Sequence, residues 1–352
     1  MRKTNAQRVW EAAKADAVFT TCEYLKRYLS GLAFEDGYVL VDRERTTVYT
    51  DSRYLEEAKK FCAERGVSVE EAGGDNRPEK LFSRYPKVAI PYSQTSHAAF
   101  EKLSSFGVPL CNADAAFTER MQVKSEEELS SIACACRIAD EAFLSLLGDL
   151  KEGMTEREVA ALLEYRMRAG GAEGTSFDTI VAFGEGAAVP HHRTGERKLR
   201  FGDEVLVDFG CKKDGYCSDE TRTVLFGDDK KHEEFKAAYA AVREAHLRVI
   251  ERARAGMTGR QIDALARELL KEKGLDKFFT HSLGHGVGLN IHEEPRLSPR
   301  SEQIIVNGMV FSDEPGVYIE GKFGVRIEDT VTMKDGRVQS FLPDSDKKLV
   351  II

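Results

Sequence analysis

The chain has 352 residues, of which 42% are hydrophobic and 31% charged, a composition typical of a globular protein with two domains of roughly 100 to 200 residues each. A net charge of −8 argues against a nucleic-acid partner, because binding to phosphate backbones needs clustered lysines and arginines. The longest apolar run, 237–242, is far shorter than the roughly 20 residues of a membrane span, so we expect no membrane partner either.

The cysteine content indicates free thiols. The chain has 7 cysteines, an odd number, and no C-x-x-C pair is present. Cys134 and Cys136 lie two residues apart in a helical pattern, where their side chains point to different sides. The first segment, MRKTNAQRVWEAAK, lacks the apolar region of a secretory signal. We therefore expect reduced thiols and a cytoplasmic location.

Residues 1–120 predict a small α/β domain. The runs AVFTT and VAI predict strands, GYVLV and TTVYT predict a hairpin, and TCEYLKRYLSGL predicts a helix. This part contains no cluster of catalytic side chains. Beyond it, Ser125 and Glu128 have the spacing of a capping box, which predicts the start of a helix. We place the boundary near residue 120 and expect a second domain over 121–352.

The second domain contains an internal repeat. The order helix, Gly-Met-Thr, helix occurs from residue 139 and again from residue 242. Further on, FGDEVLVDFG aligns with NGMVFSDEPG and places Asp208 on Glu314, while GYCSDETRT aligns with GVRIEDTVT and places Asp219 on Glu328. Each half thus contributes two acids at matching positions. We expect a pseudo-two-fold α/β domain with the acids facing each other across its centre.

Four acids in a core need a positive partner or shared protons. Asp208 and Asp219 lie on two strands of a predicted hairpin, roughly opposite one another, where like charges repel and burial adds a desolvation cost. Glu314 and Glu328 repeat the arrangement. The alternatives at this point are shared protons, a bound cation, or four unrelated exposed acids.

The histidines favour the cation. Two short segments contain five of the 8 histidines: His191 and His192 in AAVPHHRTG, and His281, His285 and His292 in HSLGHGVGLNIHE. Histidines grouped beside acids are typical of metal or proton-transfer sites, and GHGVG lacks the spacing of a phosphate loop. Such an oxygen-rich set suits Mn²⁺ or Co²⁺, with Zn²⁺ or Fe²⁺ as alternatives. Its negative charge exceeds what one ion needs, so we expect two, about 3.5 to 4 Å apart.

These segments resemble a known family. AAVPHH, VDFG, GYCSDETRT, HSLGHGVGLNIHE, EPGVY and GVRIEDT are similar to the motifs of the pita-bread metallopeptidases, in the branch of prolidase (Xaa-Pro dipeptidase) and aminopeptidase P. The resemblance covers essentially the whole chain. It implies a creatinase-like domain over 1–120, a pita-bread catalytic domain over 121–352, and short proline-containing peptides as substrates. It also implies a homodimer in which the first domain narrows access to the pocket.

The resemblance implies a role for individual residues as well. The implied metal ligands are Asp208, Asp219, His285, Glu314 and Glu328, with Asp219 and Glu328 bridging the two ions. Glu314 would also move the proton of the attacking hydroxide. The implied residues around the substrate are His191 and His292 at the carbonyl and the developing oxyanion, together with His281, Arg296, Arg326 and the aromatic ring of the Phe177–Asp178 pair.

Two positions depart from the family pattern. Glu220, directly after Asp219, and Asp313, directly before Glu314, stand where the family usually has apolar side chains. Strand alternation points both away from the metals. We expect a cation or a shared proton beside them.

Several functions compete for this site. Arg296 resembles the arginine with which prolidases hold the free carboxylate of a dipeptide, and this favours a dipeptidase. If Arg296 is only a surface arginine, aminopeptidase P is the alternative function. Methionine aminopeptidases normally lack such a first domain, and creatine hydrolases do not need the metal ligands. A non-catalytic pita-bread binding module has typically lost them. The intact ligand set therefore predicts an enzyme, and Arg296 favours an Xaa-Pro dipeptidase over aminopeptidase P.

Overall fold

The structure, a computed structural model, describes residues 4–228, 232–342 and 347–352. The chain divides into two compact units, Met1–Met121 and Gln122–Ile352. Both units combine helices with sheets, so the predicted α/β class is confirmed. None of the helices in the described ranges has the length and apolar character that crossing a membrane requires.

The first unit is built around a six-stranded sheet with the order β4-β3-β2-β1-β5-β6. Its helices are α1 (Asn5–Ala13), α2 (Glu23–Ser30), α3 (Leu55–Cys62), α4 (Pro78–Phe82), α5 (His97–Ser104) and α6 (Asp114–Met121), and its strands are β1 (Ala17–Thr20), β2 (Tyr38–Asp42), β3 (Thr46–Thr50), β4 (Val67–Glu71), β5 (Val88–Ile90) and β6 (Leu110–Asn112). The predicted hairpin is β2 and β3, which pair antiparallel. The rings of Phe19, Tyr38 and Phe82 form part of its core.

The second unit contains two helix pairs and several small sheets. Its helices are α7 (Glu126–Leu147), α8 (Glu156–Ala169), α9 (Glu233–Arg252) and α10 (Gly259–Glu272). Its strands are β7 (Gly174–Thr175), β8 (Ile180–Phe183), β9 (Asp203–Phe209), β10 (Cys211–Lys213), β11 (Tyr216–Cys217), β12 (Glu220–Phe226), β13 (Gly284–Gly286), β14 (Glu293–Leu297), β15 (Val310–Asp313), β16 (Gly316–Ile319), β17 (Phe323–Arg326), β18 (Asp329–Lys334) and β19 (Arg337–Ser340). The predicted capping box is present at the start of α7, where Ser125 and Glu128 bond each other's backbone amides.

The two halves of this unit repeat the same contacts. The Gly-Met-Thr segments end in Thr155 and Thr258, and each threonine caps the helix that follows it, α8 or α10. The amide of Gly153 bonds the carbonyl of Leu199 at 2.8 Å, and the matching amide of Gly256 bonds Ile305 at 2.8 Å. Each half also has its own hydrophobic core, beneath α7 and α8 in one and α9 and α10 in the other.

Two antiparallel sheets position the acids. One has the order β12-β9-β8 and the other the order β14-β13-β15-β18-β19. In the first sheet Asp208 pairs with Thr221, so Asp219 is displaced by two residues from the place opposite Asp208 that a simple hairpin predicts. The reason is the position of the turn. Lys213 pairs with Tyr216, so the turn is formed by Asp214 and Gly215, both at positive φ. A turn centred one residue earlier would place Asp219 opposite Asp208.

Candidate active site

A cavity of about 460 Å³ in the second unit is lined by the residues that the sequence assigns to the site. Its lining includes the five implied metal ligands Asp208, Asp219, His285, Glu314 and Glu328, and also Phe177, Asp178, His191, His281, His292, Arg296 and Arg326. These side chains come from both halves of the repeat. The cavity therefore lies where the two halves meet.

The possible metal ligands are close together and mostly buried. Asp219, His285 and Glu328 each offer one ligand atom, and these atoms lie within 4.8 Å of one another. The Nε2 atom of His285 is 3.5 Å from Asp219 Oδ2 and 3.5 Å from Glu314 Oε1. Asp208 Oδ1 is buried and accepts no hydrogen bond from any described residue. These atoms are placed so that a cation could be bound among them.

Two threonines fix the acids of the opposite half. Thr221 follows Asp219 in the first half, and its hydroxyl donates to Glu328 Oε2 of the second half at 2.5 Å. Thr330 follows Glu328, and its hydroxyl both accepts from the Asp219 amide at 2.9 Å and donates to the Asp219 carbonyl at 2.8 Å. A bridge between Thr221 and Glu328 joins the backbones as well. The two central acids are thus held by reciprocal contacts.

Burial disfavours negative charge throughout the cluster. It raises the pKa of Asp219 and Glu328 well above their usual range, and the neighbouring acids raise both pKa values further. Burial likewise raises the pKa of Glu314 to about 8 and raises the pKa of Asp208, although Arg326 lies 2.5 Å away and opposes that shift. Without an added cation, burial therefore favours the protonated form of each of these carboxyls. A divalent cation would allow all of them to be ionised.

His285 is held as a neutral imidazole. Its Nδ1 lies 3.1 Å from the Gly286 carbonyl, so we assign the ring proton to Nδ1, which leaves the Nε2 lone pair facing the acids. Burial and the adjacent His292 lower the pKa of His285 to about 3. A Cβ at Gly284 would lie 1.9 Å from the Ser312 oxygen, so glycine allows β13 to approach β15. Four carboxylates and one imidazole form a donor set that fits a divalent transition metal.

Arg326 occupies the same cavity, and it contacts a residue to which the sequence analysis gave no role. Its guanidinium donates to Asp208 Oδ2 at 2.5 Å, to Thr221 Oγ1 at 2.9 Å and to the Tyr318 hydroxyl at 2.7 Å. The Tyr318 hydroxyl also lies 2.9 Å from His281 Nε2. Tyr318 belongs to the motif EPGVY, but nothing in that motif indicates where its hydroxyl points.

The two residues that depart from the family pattern, Glu220 and Asp313, are both buried. The Glu220 side chain is 2% exposed and contacts Arg222, whereas the Asp313 side chain is 0% exposed and lies 3.0 Å from His246 Nδ1. Burial raises the pKa of both acids. The partners beside them, Arg222 and His246, are side chains of the protein. The sequence could not reveal the partner of Asp313, because His246 belongs to the distant helix α9.

A third acid, Asp329, contacts Arg222 behind the implied metal ligands. Asp329 accepts from Arg222 at 3.0 Å, and the ammonium of Lys347 lies 2.8 Å from it. The same arginine donates to the backbone carbonyls of Thr221 at 3.1 Å and Glu328 at 2.6 Å. The ion network of Glu220, Arg222, His246, Asp313, Asp329 and Lys347 therefore braces the strands that present the central acids.

Comparison with known proteins agrees with this geometry. Residues 130–335 match the Metallopeptidase family M24, and residues 2–119 match the Creatinase/Prolidase N-terminal domain. The Xaa-Pro dipeptidase of Pyrococcus furiosus is 36% identical over 332 residues, which are 91% of each chain. The structure of an X-Pro aminopeptidase from Thermotoga maritima MSB8 superposes with a TM-score of 0.91 at 35% identity, covering 98% of this chain and 100% of that one.

A further solved structure, the Xaa-Pro dipeptidase from Bacillus anthracis, has a TM-score of 0.91 at 33% identity and covers 99% of this chain and 98% of that one. The fold and the site are thus those of a metallopeptidase, an enzyme that uses divalent metal ions. The chain belongs to metallopeptidase family M24. The resemblance to the pita-bread metallopeptidases is confirmed, and so is the fold that it implies.

Proposed function

We propose that this chain hydrolyses the bond between a residue and a following proline in short peptides, with free Xaa-Pro dipeptides as its preferred substrates. One observation carries the proposal: a single cavity contains the buried acid cluster with His285 and also Arg296, which is exposed. Such a cavity can hold a peptide bond at the acids and a carboxylate at the arginine. The relatives named Xaa-Pro dipeptidase, at 36% and 37% identity, support the same substrate class.

In this proposal Asp208, Asp219, His285, Glu314 and Glu328 hold two divalent ions. Bound there, the ions would polarise the peptide carbonyl and lower the pKa of water. The protein keeps the acids in position through Thr221 and Thr330 and keeps His285 neutral. Mn²⁺ or Co²⁺ suits this donor set, with Zn²⁺ or Fe²⁺ as alternatives.

Side chains of the cavity would transfer protons and stabilise the negative charge that develops on the substrate carbonyl. Glu314 lies in the cavity with Oε1 3.5 Å from His285 Nε2 and is our candidate general base and acid. His191 and His292 line the cavity from different segments, and burial lowers the pKa of His292. We assign both as donors to the substrate carbonyl and the oxyanion formed from it. His281, Arg326 and Phe177 would contact the substrate.

A second candidate function is Xaa-Pro aminopeptidase activity on longer peptides. The specific observation in its favour is the similarity to the T. maritima structure, which is named as an X-Pro aminopeptidase. The two activities differ at the carboxyl side of the proline. A dipeptidase binds a free carboxylate there, whereas an aminopeptidase leaves room for more residues.

One assay separates the two functions. The protein is stripped with a chelator, reloaded with Mn²⁺ or Co²⁺, and incubated with Ala-Pro, Ala-Pro-Ala and Ala-Ala, and the products are identified by mass spectrometry. We expect release of proline from Ala-Pro as the fastest reaction. Faster cleavage of Ala-Pro-Ala would assign the chain as an aminopeptidase, and no metal-dependent cleavage of either proline peptide would contradict the proposal.

Three further properties stay predictions. We propose that the protein is a homodimer, that residues 1–120 limit substrate length, and that it works in the cytoplasm. The prediction of a dimer is checked by sedimentation at micromolar concentration, where a monomer would contradict it.

A further inference from the structure

A single buried carboxylate holds both ends of the segment that carries His191. Glu156 Oε1 accepts a hydrogen bond from the Phe183 amide at 3.1 Å, where the segment leaves β8. Glu156 Oε2 accepts from the Gly195 amide at 2.9 Å, where the segment ends. The same oxygen lies 2.9 Å from Nε2 of His192, the residue next to His191. We call residues 184–195 the histidine segment.

The surroundings of Glu156 fit this contact closely. Glu156 is 1% exposed and lies in the first turn of α8, where the helix dipole favours a negative charge. A Cβ on Gly186 would lie 3.3 Å from His192 Cε1 and 3.7 Å from Glu156 Oε1. Glycine at this position therefore leaves just enough space for the Glu156–His192 pair.

Within its described residues, the second half of the repeat has no such contact. Gly259 stands at the position that matches Glu156, three residues ahead of Ile262 as Glu156 is of Val159. A Cβ there would lie 2.2 Å from the Arg296 carbonyl oxygen, so no longer side chain fits. The framework of the fold therefore does not itself require a carboxylate at this position.

We propose that Glu156 and His192 are positioning residues, which hold the histidine segment so that His191 presents its ring to the substrate. The inference rests on the proposed function, because His191 is there assigned to the substrate carbonyl. Glu156 is not among the residues that line the cavity. It acts through the three donors that converge on it.

A second attachment lets this idea be tested in a folded protein. The Thr194 hydroxyl donates to the Thr179 carbonyl at 2.8 Å and accepts from the Val181 amide at 2.9 Å. These bonds do not involve Glu156. The end of the histidine segment therefore stays attached to β8 when the Glu156 charge is removed.

The test variant is Glu156→Gln, which replaces one acceptor oxygen with an amide group facing donors. We expect kcat on Ala-Pro to fall ten- to a hundredfold, while the bound metal content stays unchanged. The control is Glu158→Gln in the same helical turn, whose carboxylate is exposed and caps α8 through Thr155. That control should keep the wild-type kcat.

A double variant shows whether the effect passes through His191. With His191→Ala already present, adding Glu156→Gln should lower kcat by less than threefold, because nothing is left to position. His192→Gln keeps a donor for Glu156 and should retain more activity than His192→Leu. Fully additive losses in the double variant would overturn the positioning role and leave the proposed function intact.

Amide hydrogen exchange gives a measurement that does not depend on catalysis. In Glu156→Gln we expect faster exchange within 183–195 than in wild type, and no change in Glu158→Gln. Unchanged exchange in Glu156→Gln would overturn the inference. If wild type hydrolyses Ala-Pro but His191→Ala leaves kcat unchanged, the role of His191 fails and the positioning role with it, while metal-dependent hydrolysis stands.

Discussion

The two arginines in the cavity have opposite surroundings. The Arg326 side chain is 4% exposed and bonds Asp208 and Tyr318, whereas Arg296 is exposed on β14. The Arg326 guanidinium is already fixed by bonded protein partners before a substrate arrives. An exposed arginine beside a cavity can bind a carboxylate that arrives from solvent.

Arg296→Met should therefore weaken dipeptide hydrolysis selectively. A charge-assisted bond to the substrate carboxylate contributes about 1.5 to 3 kcal/mol, which corresponds to a loss in kcat/KM on Ala-Pro of roughly ten- to a hundredfold. The loss should shrink on Ala-Pro-amide, and metal content should not change. Arg300→Met, at an exposed position nearby, is the control, and equal losses on both substrates would indicate a structural role for Arg296.

Removal of either central acid should empty the metal centre. Asp219→Ala or Glu328→Ala takes away a ligand held by the opposite half, so we expect loss of at least one bound metal equivalent and no measurable hydrolysis. Metal is counted by mass spectrometry after dialysis against Mn²⁺. Glu320→Ala, at an exposed acid, should retain both metal and activity. Full occupancy with activity in Asp219→Ala would contradict the ligand assignment.

At the level of elements, the chain at the start of β12 and of β18 places one acid in the cavity and the next acid behind it. Asp219 and Glu328 line the cavity, while the next residues, Glu220 and Asp329, join the ion network behind it. Alternation along a strand explains this division. The short C-terminal segment 347–352 takes part through Lys347, whose side chain is 2% exposed.

Lys347→Met should destabilise the fold. Removing one partner of a buried ion pair costs about 3 to 5 kcal/mol, and because Arg222 still contacts Asp329 we expect about 3 kcal/mol, the lower end of that range. Urea unfolding of the chelator-treated protein measures the change. Lys334→Met, at an exposed lysine on the same strand as Asp329, should change the free energy of unfolding by less than about 0.5 kcal/mol. An unchanged midpoint for Lys347→Met would contradict the bracing role of the network.

The sequence predicted the elements better than their contacts. The strand at Val88, the hairpin and the capped helix at Ser125 follow from local patterns, and all three are present. Tyr318 and Lys347 gave no local signal, because their roles depend on groups brought near by the tertiary fold. For Glu156, likewise, the sequence indicates only an acid in the first turn of a helix.

For the whole molecule, the repeat was the most informative feature of the sequence. It paired Asp208 with Glu314 and Asp219 with Glu328, and all four line one cavity. The displacement of Asp219 from Asp208 was not predicted, because it depends on the turn being centred on Asp214 and Gly215. A shift of the turn by one residue moves every pairing of the hairpin by two residues.

The stability of the metal-free protein should fall between pH 7 and pH 8. Burial raises the pKa of Glu314 to about 8, so the folded state keeps a proton that the unfolded chain has released, at a cost of about 1.4 kcal/mol per pH unit for each full proton. Asp208, Asp219 and Glu328 shift in the same direction. The buried His281 and His285, whose pKa values are lowered, act only below about pH 6.5, because above it they are neutral in both states.

Thermal melting with chelator and with Mn²⁺ at these two pH values tests this prediction. The metal displaces the retained protons, so the rise in Tm on adding Mn²⁺ should be larger at pH 8 than at pH 7. Glu314→Gln removes one titrating group and should reduce the difference. A metal-induced rise in Tm that is the same at both pH values would contradict the raised pKa values.

The exchange of threonine contacts across the repeat links metal binding to the docking of the two halves. Thr221 orients an acid of the second half and Thr330 an acid of the first, so neither half offers a finished site when they separate. Bound metal ions therefore stabilise the docked arrangement of the two halves, since a ligand present at 100 times its Kd stabilises the form that binds it by about 2.7 kcal/mol. Removal of the metal by a chelator would therefore weaken the contacts between the two halves before it disturbs either hydrophobic core.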